Sequence, residues 1–291
     1  MKLFETIHLA NIVQDLSTLD IKESLDWADL DLISFDVVIP TKNSIRTIKE
    51  CLKALFSSDV PVNNVFVIDK GNDSTAEIAE EMGCISIRSN ANYSQALRLG
   101  ASICETPYFM ILDSDILIHP KFYSRLKHRI KENFICKGTF YDHIAWKSLA
   151  NHFLIQRRKE IGGLDAAFVN KTIFLILTED WDRGIIDAGG DTLLFRRCKE
   201  RGIPAYQDPD LVNLHLVGSY RRYLYQTYWY GKSARNSRLY SWTHFIKRFF
   251  RSFILGFKCA FRYRDLRYFP FMIWEGVYYL LGWLQGNNTI L

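Results

Sequence analysis

The sequence lacks the cysteine spacing of a metal-binding or disulfide-bonded module. Six cysteines are scattered over 291 residues with no Cys-x-x-Cys pair, and most stand in apolar or helical surroundings. We therefore expect reduced thiols in the core of a cytosolic protein.

The chain also lacks the long apolar runs of secreted and membrane-spanning proteins. Residues 1–19 contain Glu5 and Asp15, so we expect no cleaved leader. No stretch near the carboxyl end reaches the roughly 20 clean apolar residues of a spanning helix. With 48% hydrophobic and 24% charged residues, the chain is expected to be globular, with one large or two modest domains.

Acidic residues are scarce in the last part of the chain. Residues 211–291 carry 12 Lys and Arg against two acids, a net charge of +10, which leaves −5 for residues 1–210. We therefore expect the two parts to meet different partners. We expect no nucleic-acid partner, because the basic residues alternate with large aromatic side chains more than with flexible polar loops.

Strand-like apolar runs alternate with helical periodicity over residues 35–112. The predicted strands are residues 35–40, 65–69, 84–87 and 108–112, and the predicted helices are residues 44–57, 74–82 and 93–103. Near-continuous apolar runs predict a mostly parallel, Rossmann-type sheet with helices on both faces. In such sheets, ligands bind beyond the carboxyl ends of the strands.

Polar residues follow each predicted strand at this edge. They are Pro40, Thr41, Asp69, Asn90, Asp113, Ser114 and Asp115. Alternation along a strand places Asp113 and Asp115 on one face. Two anions repel each other unless a cation lies near them. An Asp-x-Asp pair alone is a common chance pattern, so its significance comes from the other strand ends.

These motifs together resemble family 2 glycosyltransferases of the GT-A fold. The resemblance rests on residues 37–43, residues 67–75, the Asn90…Ala96…Gly100 pattern, and residues 112–115 followed by Pro120, and it covers about residues 35–235. Within these motifs the chain departs from the family pattern at three places: Lys70 replaces a frequent aspartate, Asn92 a glycine and Arg98 an asparagine.

The resemblance implies a site for a nucleotide-diphosphate sugar and for Mg²⁺ or Mn²⁺. Pro40, Thr41 and Asp69 would hold the nucleoside, with Asn90 and Ser114 also in the donor site. Arg98 would approach a phosphate or only solvate its helix face. Asp115 would bind the metal, and Asp113 the ribose or the groups around the metal.

The resemblance also assigns roles to residues in the second half of the predicted catalytic domain. Asp191, at the start of a predicted helix that Gly202 closes, is the candidate general base, although Gly190 stands where the family usually has glutamate. A helix N-terminal acid without a catalytic role is the alternative. The rival acids are Glu179, Asp180 and Asp182. His215 would complete the metal shell, or be an ordinary satisfied histidine.

Residues 220–238 are rich in Arg and Tyr and would clamp the diphosphate, stack on acceptor sugars or face anionic lipid. Residues 245–255 mix basic and bulky apolar residues, and residues 269–283 are apolar and aromatic, interrupted by Glu275. Both stretches predict helices in the interface of the cytoplasmic leaflet. The alternative is that these helices pack on the catalytic domain or form a homo-oligomer.

We therefore predict three parts. Residues 1–34 are an extension, residues 35–238 a GT-A catalytic domain with halves 35–120 and 121–238, and residues 239–291 membrane-interfacial helices. The predicted function is inverting, metal-dependent sugar transfer to a lipid-linked or membrane-proximal glycan. One alternative is an inactive membrane-associated scaffold that binds nucleotide sugars. The other is a sugar-nucleotide pyrophosphorylase. That enzyme would need a glycine-rich phosphate loop after the first strand, and residues 40–44 contain no glycine.

Overall fold

The computed structural model describes residues 34–130, 132–142, 163–184, 186, 189–216, 220–236 and 242–286. The predicted extension at residues 1–34 lies outside the described residues except for Ser34.

Eight strands and nine α-helices occur in these described ranges. The strands are β1 (Phe35–Thr41), β2 (Val62–Asp69), β3 (Ile85–Arg88), β4 (Tyr108–Leu112), β5 (Ile116–Leu117), β6 (Ile135–Asp142), β7 (Ala166–Asn170) and β8 (Ala205–His215). The helices are α1 (Ile48–Phe56), α2 (Thr75–Glu81), α3 (Tyr93–Ile103), α4 (Phe122–Ile130), α5 (Lys171–Leu177), α6 (Gly190–Glu200), α7 (Tyr220–Asn236), α8 (Trp242–Tyr263) and α9 (Tyr268–Gln285). A 3₁₀ helix covers Glu179–Arg183.

The strands form one mixed sheet in the order β3-β2-β1-β4-β7-β6-β8-β5. Strands β3, β2, β1 and β4 are parallel, and so are β6 and β8. Strand β7 runs antiparallel to β4 and β6, and β5 runs antiparallel to β8. The predicted fold class is confirmed, and the first four predicted strands each overlap an observed strand.

The central strands are buried on both faces. Every residue of β1, β4 and β7 is buried, because helices cover the sheet on each side. Helix α3 lies very close to β1, since a Cβ atom added to Gly100 would overlap with the Val38 side chain. This contact fixes the start of α3 beside the carboxyl ends of β1 and β2.

The last three helices form a connected unit. Helix α9 packs against α7 where Gly231 and Gly282 allow close approach, since a Cβ at either position would overlap with backbone of the other helix. Helix α8 packs on the other side of α9, with Gly256 against Phe269 and Gly276 against Ser252. Within the ranges given above, no helix is both long enough and apolar enough to cross a bilayer.

Candidate active site

A cavity of about 350 Å³ lies beyond the carboxyl ends of the parallel strands. The residues that line it come from the ends of β1, β2, β3 and β8, from the turn between β4 and β5, and from α3 and α7. They are Pro40, Thr41, Lys42, Ile68, Lys70, Ser89, Ala91, Asn92, Tyr93, Ala96, Asp115, His215, Arg222, Tyr225, Gln226 and Trp229. The cavity therefore occupies the edge of the sheet at which the sequence predicts a ligand site.

Asp69 ties together the ends of the first three strands. Its Oδ1 accepts hydrogen bonds from Thr41 Oγ1 at 2.7 Å and from the Gly71 N–H at 2.9 Å. Its Oδ2 accepts one from Arg88 Nη1 at 2.9 Å. The Asp69 carboxylate is fully buried, so Arg88 compensates its charge. Thr41 faces the cavity, and Asp69 supports it from behind.

Strand pairing brings Asp115 and His215 together across 100 residues of sequence. Ile116 of β5 pairs with His215 of β8, and the Leu216 N–H donates to Asp115 O at 2.7 Å. His215 Nε2 then lies 3.4 Å from Asp115 Oδ2, and both side chains line the cavity.

A carboxylate and an imidazole at this distance are the ligand types that the sequence interpretation assigned to a metal ion. Among the described residues, no cluster of three or more His, Cys, Asp or Glu has the geometry to hold a metal. Any metal ion at Asp115 and His215 would therefore need further oxygen ligands from a substrate or from water.

Asp113 lies behind Asp115 in a less polar environment. Tyr93 Oη donates a 2.8 Å hydrogen bond to Asp113 Oδ1. Burial, and then the charges of Asp115 and Asp165, raise the pKa of Asp113 to about 8. Burial and the Asp113 charge likewise raise the pKa of Tyr93. Asp113 therefore holds a proton near neutral pH unless a cation approaches.

Asp191 is the first acid of α6 and is partly buried. Its Oδ1 accepts the Thr192 N–H at 2.7 Å. Burial raises the pKa of Asp191, Asp165 raises it further, and Lys137 opposes the shift. A carboxylate with a raised pKa takes up a proton more readily, as a general base must.

Close packing explains why residue 190, next to Asp191, is a glycine. A Cβ on Gly190 would lie 2.5 Å from Ser94 Oγ and 3.0 Å from Trp181 Cζ2. The space that a glutamate would need is therefore filled by α3 and the 3₁₀ helix. The family usually has a glutamate followed by an aspartate at these two positions, and this chain has only the aspartate, Asp191.

A buried ion pair, which the sequence interpretation missed, supports the backbone of Asp113. Lys137 Nζ donates to Asp165 Oδ1 at 2.8 Å and to Gly163 O at 2.9 Å. The Asp165 carbonyl in turn accepts the Asp113 N–H at 2.8 Å. Asp165 Oδ2 has no hydrogen-bond partner in the part of the chain that the structure describes. The sequence does contain a sign of this ion pair, because Lys137 stands in the otherwise apolar start of β6 and a buried lysine needs a charged partner.

Two of the three rival acids are engaged elsewhere. Asp180 forms an ion pair with Arg197 at 2.6 Å, which lowers the pKa of Asp180. Asp182 pairs with Arg98 Nε at 2.8 Å. Arg98 Nη1 also contacts Leu175 O, so Arg98 joins α3 to α5 and to the 3₁₀ helix and does not line the cavity. Glu179 is exposed at the start of the 3₁₀ helix.

Four other predicted donor-site residues, Asp69, Asn90, Asp113 and Ser114, also lie outside the cavity lining, as does the candidate base Asp191. Ser114 is buried, with its Oγ 2.8 Å from Ser44 Oγ. Asn90 is exposed, whereas its neighbours Ser89 and Ala91 line the cavity. Asn92 caps α3 in a reciprocal capping box with Gln95.

Helix α7 forms one wall of the cavity. Arg222, Tyr225, Gln226 and Trp229 are spaced i, i+3, i+4 and i+7, which places them on one helix face. The Tyr230 hydroxyl accepts from Gln226 Nε2 at 3.0 Å. Burial and the charges of Asp191, Asp113 and Asp115 raise its pKa. The sequence predicts a role for the basic, aromatic run at residues 220–238, but it does not show which face of the helix reaches the cavity.

Residues 36–198 match the family described as Glycosyl transferase family 2. The chain belongs to glycosyl transferase family 2. The predicted family is thus confirmed over more than half of the chain.

Two comparisons extend this assignment. This family 2 chain is 33% identical over 91 residues to a 4,4'-diaponeurosporenoate glycosyltransferase of Staphylococcus haemolyticus, over 28% of this chain and 24% of that protein. The match thus spans about a quarter of that relative.

Crystal structures of glucosyl-3-phosphoglycerate synthase from Mycobacterium tuberculosis share the fold. The complex with Mn²⁺, UDP and phosphoglyceric acid has a TM-score of 0.51 at 15% identity, over 70% of this chain and 77% of that chain. The complex with Mg²⁺ and UDP has a TM-score of 0.50 at 14% identity, over 70% and 78%.

Proposed function

We propose that this family 2 chain transfers a sugar from a nucleotide-diphosphate donor to an acceptor hydroxyl, with inversion at the anomeric carbon. The observation that carries the proposal is the meeting of Asp115 and His215 at 3.4 Å in the wall of the cavity. These two residues come from distant parts of the sequence and are brought together by the pairing of β5 with β8.

The charges that line the cavity suit a nucleoside diphosphate. Lys42, Lys70 and Arg222 surround it, and Asp115 is the one acid in the described lining. Cations favour phosphate oxygens electrostatically. Lys70 stands where the family often has an aspartate, so this chain would hold the diphosphate with an additional positive charge. Pro40, Thr41 and Ile68 offer a narrow, less polar surface for the nucleoside.

The donor set also fits Mg²⁺ or Mn²⁺. Such ions are commonly held by one or two protein ligands together with substrate phosphates. Asp115 and His215 would be the protein ligands, with Asp113 behind them. The bound ion would supply Lewis-acid stabilisation of the leaving diphosphate. Its positive charge would also lower the pKa of Asp113 towards the usual carboxylate range.

Asp191 would accept the proton of the acceptor hydroxyl during in-line attack. Its pKa is raised by burial, which brings a carboxylate closer to the operating pH of a general base. Lys137 and Asp165 would keep Asp113 in position.

The proposed acceptor is a lipid-linked or membrane-proximal glycan, and the proposed location is the cytoplasmic face of a membrane. The basic and aromatic composition of α7 and α8, and the apolar, aromatic composition of α9, support both.

A donor screen tests the reaction. UDP-, GDP- and dTDP-sugars are incubated with the full chain and Mn²⁺ or Mg²⁺, and release of the nucleoside diphosphate is measured. We expect release with one donor class, a loss of at least about 100-fold in Asp191→Asn, and loss of the metal response in Asp115→Asn.

Three results would contradict parts of the proposal. Nucleotide binding without turnover of any donor would favour the inactive scaffold. A full rate in Asp191→Asn would show that another group is the base. A reaction unaffected by chelation would remove the metal.

A further inference from the structure

The outer face of α8 carries a continuous stripe of exposed apolar side chains. Its members are Ile246, Phe250, Ile254, Phe257 and Phe261, which are 38–90% exposed. At 3.6 residues per turn, all five fall within an arc of about 80°. Leu266, 83% exposed in the turn after α8, extends the apolar surface. We call these six residues the α8 stripe. Contiguous exposed apolar surface of this kind marks an interaction site.

A row of cations borders the stripe on one side. It consists of Lys247, Arg251, Lys258 and Arg262, all exposed and spaced so that they share one edge of the helix. Helix α8 contains no acidic residue. The next acid along the chain, Asp265, is paired with Arg267 at 2.7 Å. The face is therefore apolar with a cationic border.

The opposite face of α8 already has its packing partner. Cys259 and Ala260 are buried in a cluster with Tyr268 of α9, and Ser252 is buried near Gly276. The α8 stripe is thus not the side of the helix that attaches it to the protein. It presents additional apolar area to the surroundings.

We propose that the α8 stripe docks on an anionic lipid surface, with the aromatic side chains in the interface and the cation row against the headgroups. Phe with Lys and Arg at its border is the composition of helices that lie in the membrane plane. Anionic lipid attracts such cations, and this attraction is screened by salt. In an antiparallel twofold contact with a second copy of the chain, the two cation rows would lie on the same side and repel each other. The idea that this surface brings the enzyme to a membrane-bound acceptor rests on the proposed sugar-transfer function. The binding of α8 to lipid does not depend on that reaction.

The docking surface and the cavity belong to one helical unit. Helix α8 packs on α9, and α9 packs on α7 through Gly231 and Gly282. Helix α7 supplies Arg222, Tyr225, Gln226 and Trp229 to the cavity wall. Seating α8 on lipid would therefore fix the orientation of the donor cavity relative to the membrane surface.

Vesicle sedimentation with the full chain tests the proposal, without any sugar nucleotide. We expect binding to vesicles of mixed phosphatidylglycerol and phosphatidylcholine, much weaker binding to phosphatidylcholine alone, and a decrease as ionic strength rises. Phe250→Glu with Phe257→Glu should weaken binding at least tenfold. Lys258→Glu with Arg262→Glu should remove the preference for anionic lipid.

Matched controls separate docking from a general loss of apolar surface. Phe56 and Ile85 are 46% and 47% exposed on α1 and β3, so Phe56→Glu with Ile85→Glu should bind vesicles as the wild type does. Circular dichroism and thermal unfolding of each variant would establish that it folds. UDP binding in the absence of vesicles distinguishes a failed donor site from a failed docking surface.

Three outcomes would overturn the proposal. Equal vesicle binding by the Phe250/Phe257 variant and the wild type would show that another surface docks. A wild type that ignores vesicles but dimerises, with dimerisation lost in that variant, would make a second copy the occupant. Vesicle binding that occurs only after deletion of residues 1–33 would show that this segment covers the stripe in the intact chain.

Discussion

Lys137 is 1% exposed, and its ammonium group contacts Asp165 and the Gly163 carbonyl. A buried charge of this kind is stable only while its partner remains. Because Asp165 also holds the backbone N–H of Asp113, the pair links a buried charge to the geometry of the donor site.

Removing the Lys137 ammonium group should therefore be costly. We expect Lys137→Met to lower the free energy of unfolding by about 3–5 kcal/mol, because the Asp165 carboxylate loses its compensating charge. Urea unfolding measures this loss. Adding Asp165→Leu should restore much of the stability. Lys53→Met breaks an exposed ion pair with Glu50 and should cost less than about 1 kcal/mol.

The raised pKa of Asp113 predicts a pH dependence of stability. Its pKa of about 8 in the folded chain exceeds the ordinary value of 3.8, so the folded state binds the extra proton between these values. The stabilising contribution of protonated Asp113 is complete below pH 4 and is lost as pH rises through 8.

The measurement is the unfolding free energy of the wild type minus that of Asp113→Asn over a pH series in the absence of metal. We expect this difference to fall from pH 4 to pH 8 and then to level off. A difference that stays constant over the series would show that the carboxyl group is charged throughout.

At the scale of elements, the glycine contact between α7 and α9 sets the position of the cavity wall. A Cβ at Gly282 would overlap with the Tyr228 carbonyl, one residue before Trp229. Any side chain there must push α7 and α9 apart or shift α7 along its axis.

We expect Gly282→Val to cost about 1–3 kcal/mol of stability through overpacking. It should also weaken UDP binding about tenfold, because Arg222 and Trp229 move with α7. Calorimetric titration with UDP and Mn²⁺ measures the affinity. The neighbouring exposed Leu281 provides the control, since Leu281→Ala should leave UDP affinity unchanged. Unchanged affinity in Gly282→Val would separate the α7 wall from donor binding.

Periodicity predicts the first half of the sheet but not the second. Strands β1, β2 and β4 are apolar runs, β3 is a segment of four residues, and all four lie where the sequence patterns predict a strand. In the second half, β7 enters antiparallel between β4 and β6. That placement depends on long-range pairing, which no local pattern encodes.

The same distinction applies to the site. Thr41 and Asp115 end strands and were predictable, and His215 was predictable through the family motif order. The contacts of Lys137 with Asp165 and of Arg98 with Asp182 are set by tertiary packing. The helix face at Arg222 and Trp229 was available from i, i+3, i+4, i+7 spacing, but aromatic residues on the other faces of α7 obscured it.

For the whole molecule, ligand binding should appear as a change in global stability. At a UDP concentration of 100 times the Kd, with Mn²⁺ present, we expect the folded state to gain about 2.7 kcal/mol. This gain corresponds to a rise in Tm of roughly 4–5 °C for a chain of this size. In Asp115→Asn, we expect the part of the Tm rise that UDP produces without Mn²⁺ to remain and the part that requires Mn²⁺ to be lost. Equal rises in the two proteins would exclude Asp115 as a metal ligand.

All six cysteines are free and buried, and they are distributed along the chain. Cys51 and Cys84 lie beside the first strands, Cys104 and Cys136 beside the middle of the sheet, Cys198 in α6 and Cys259 in α8. Because a buried thiol reacts only when its surroundings open, the labelling rate of each cysteine reports the local opening free energy of its own region. The native chain thus carries its own set of reporters, and Cys259 would show whether the carboxyl-terminal helices open separately from the sheet.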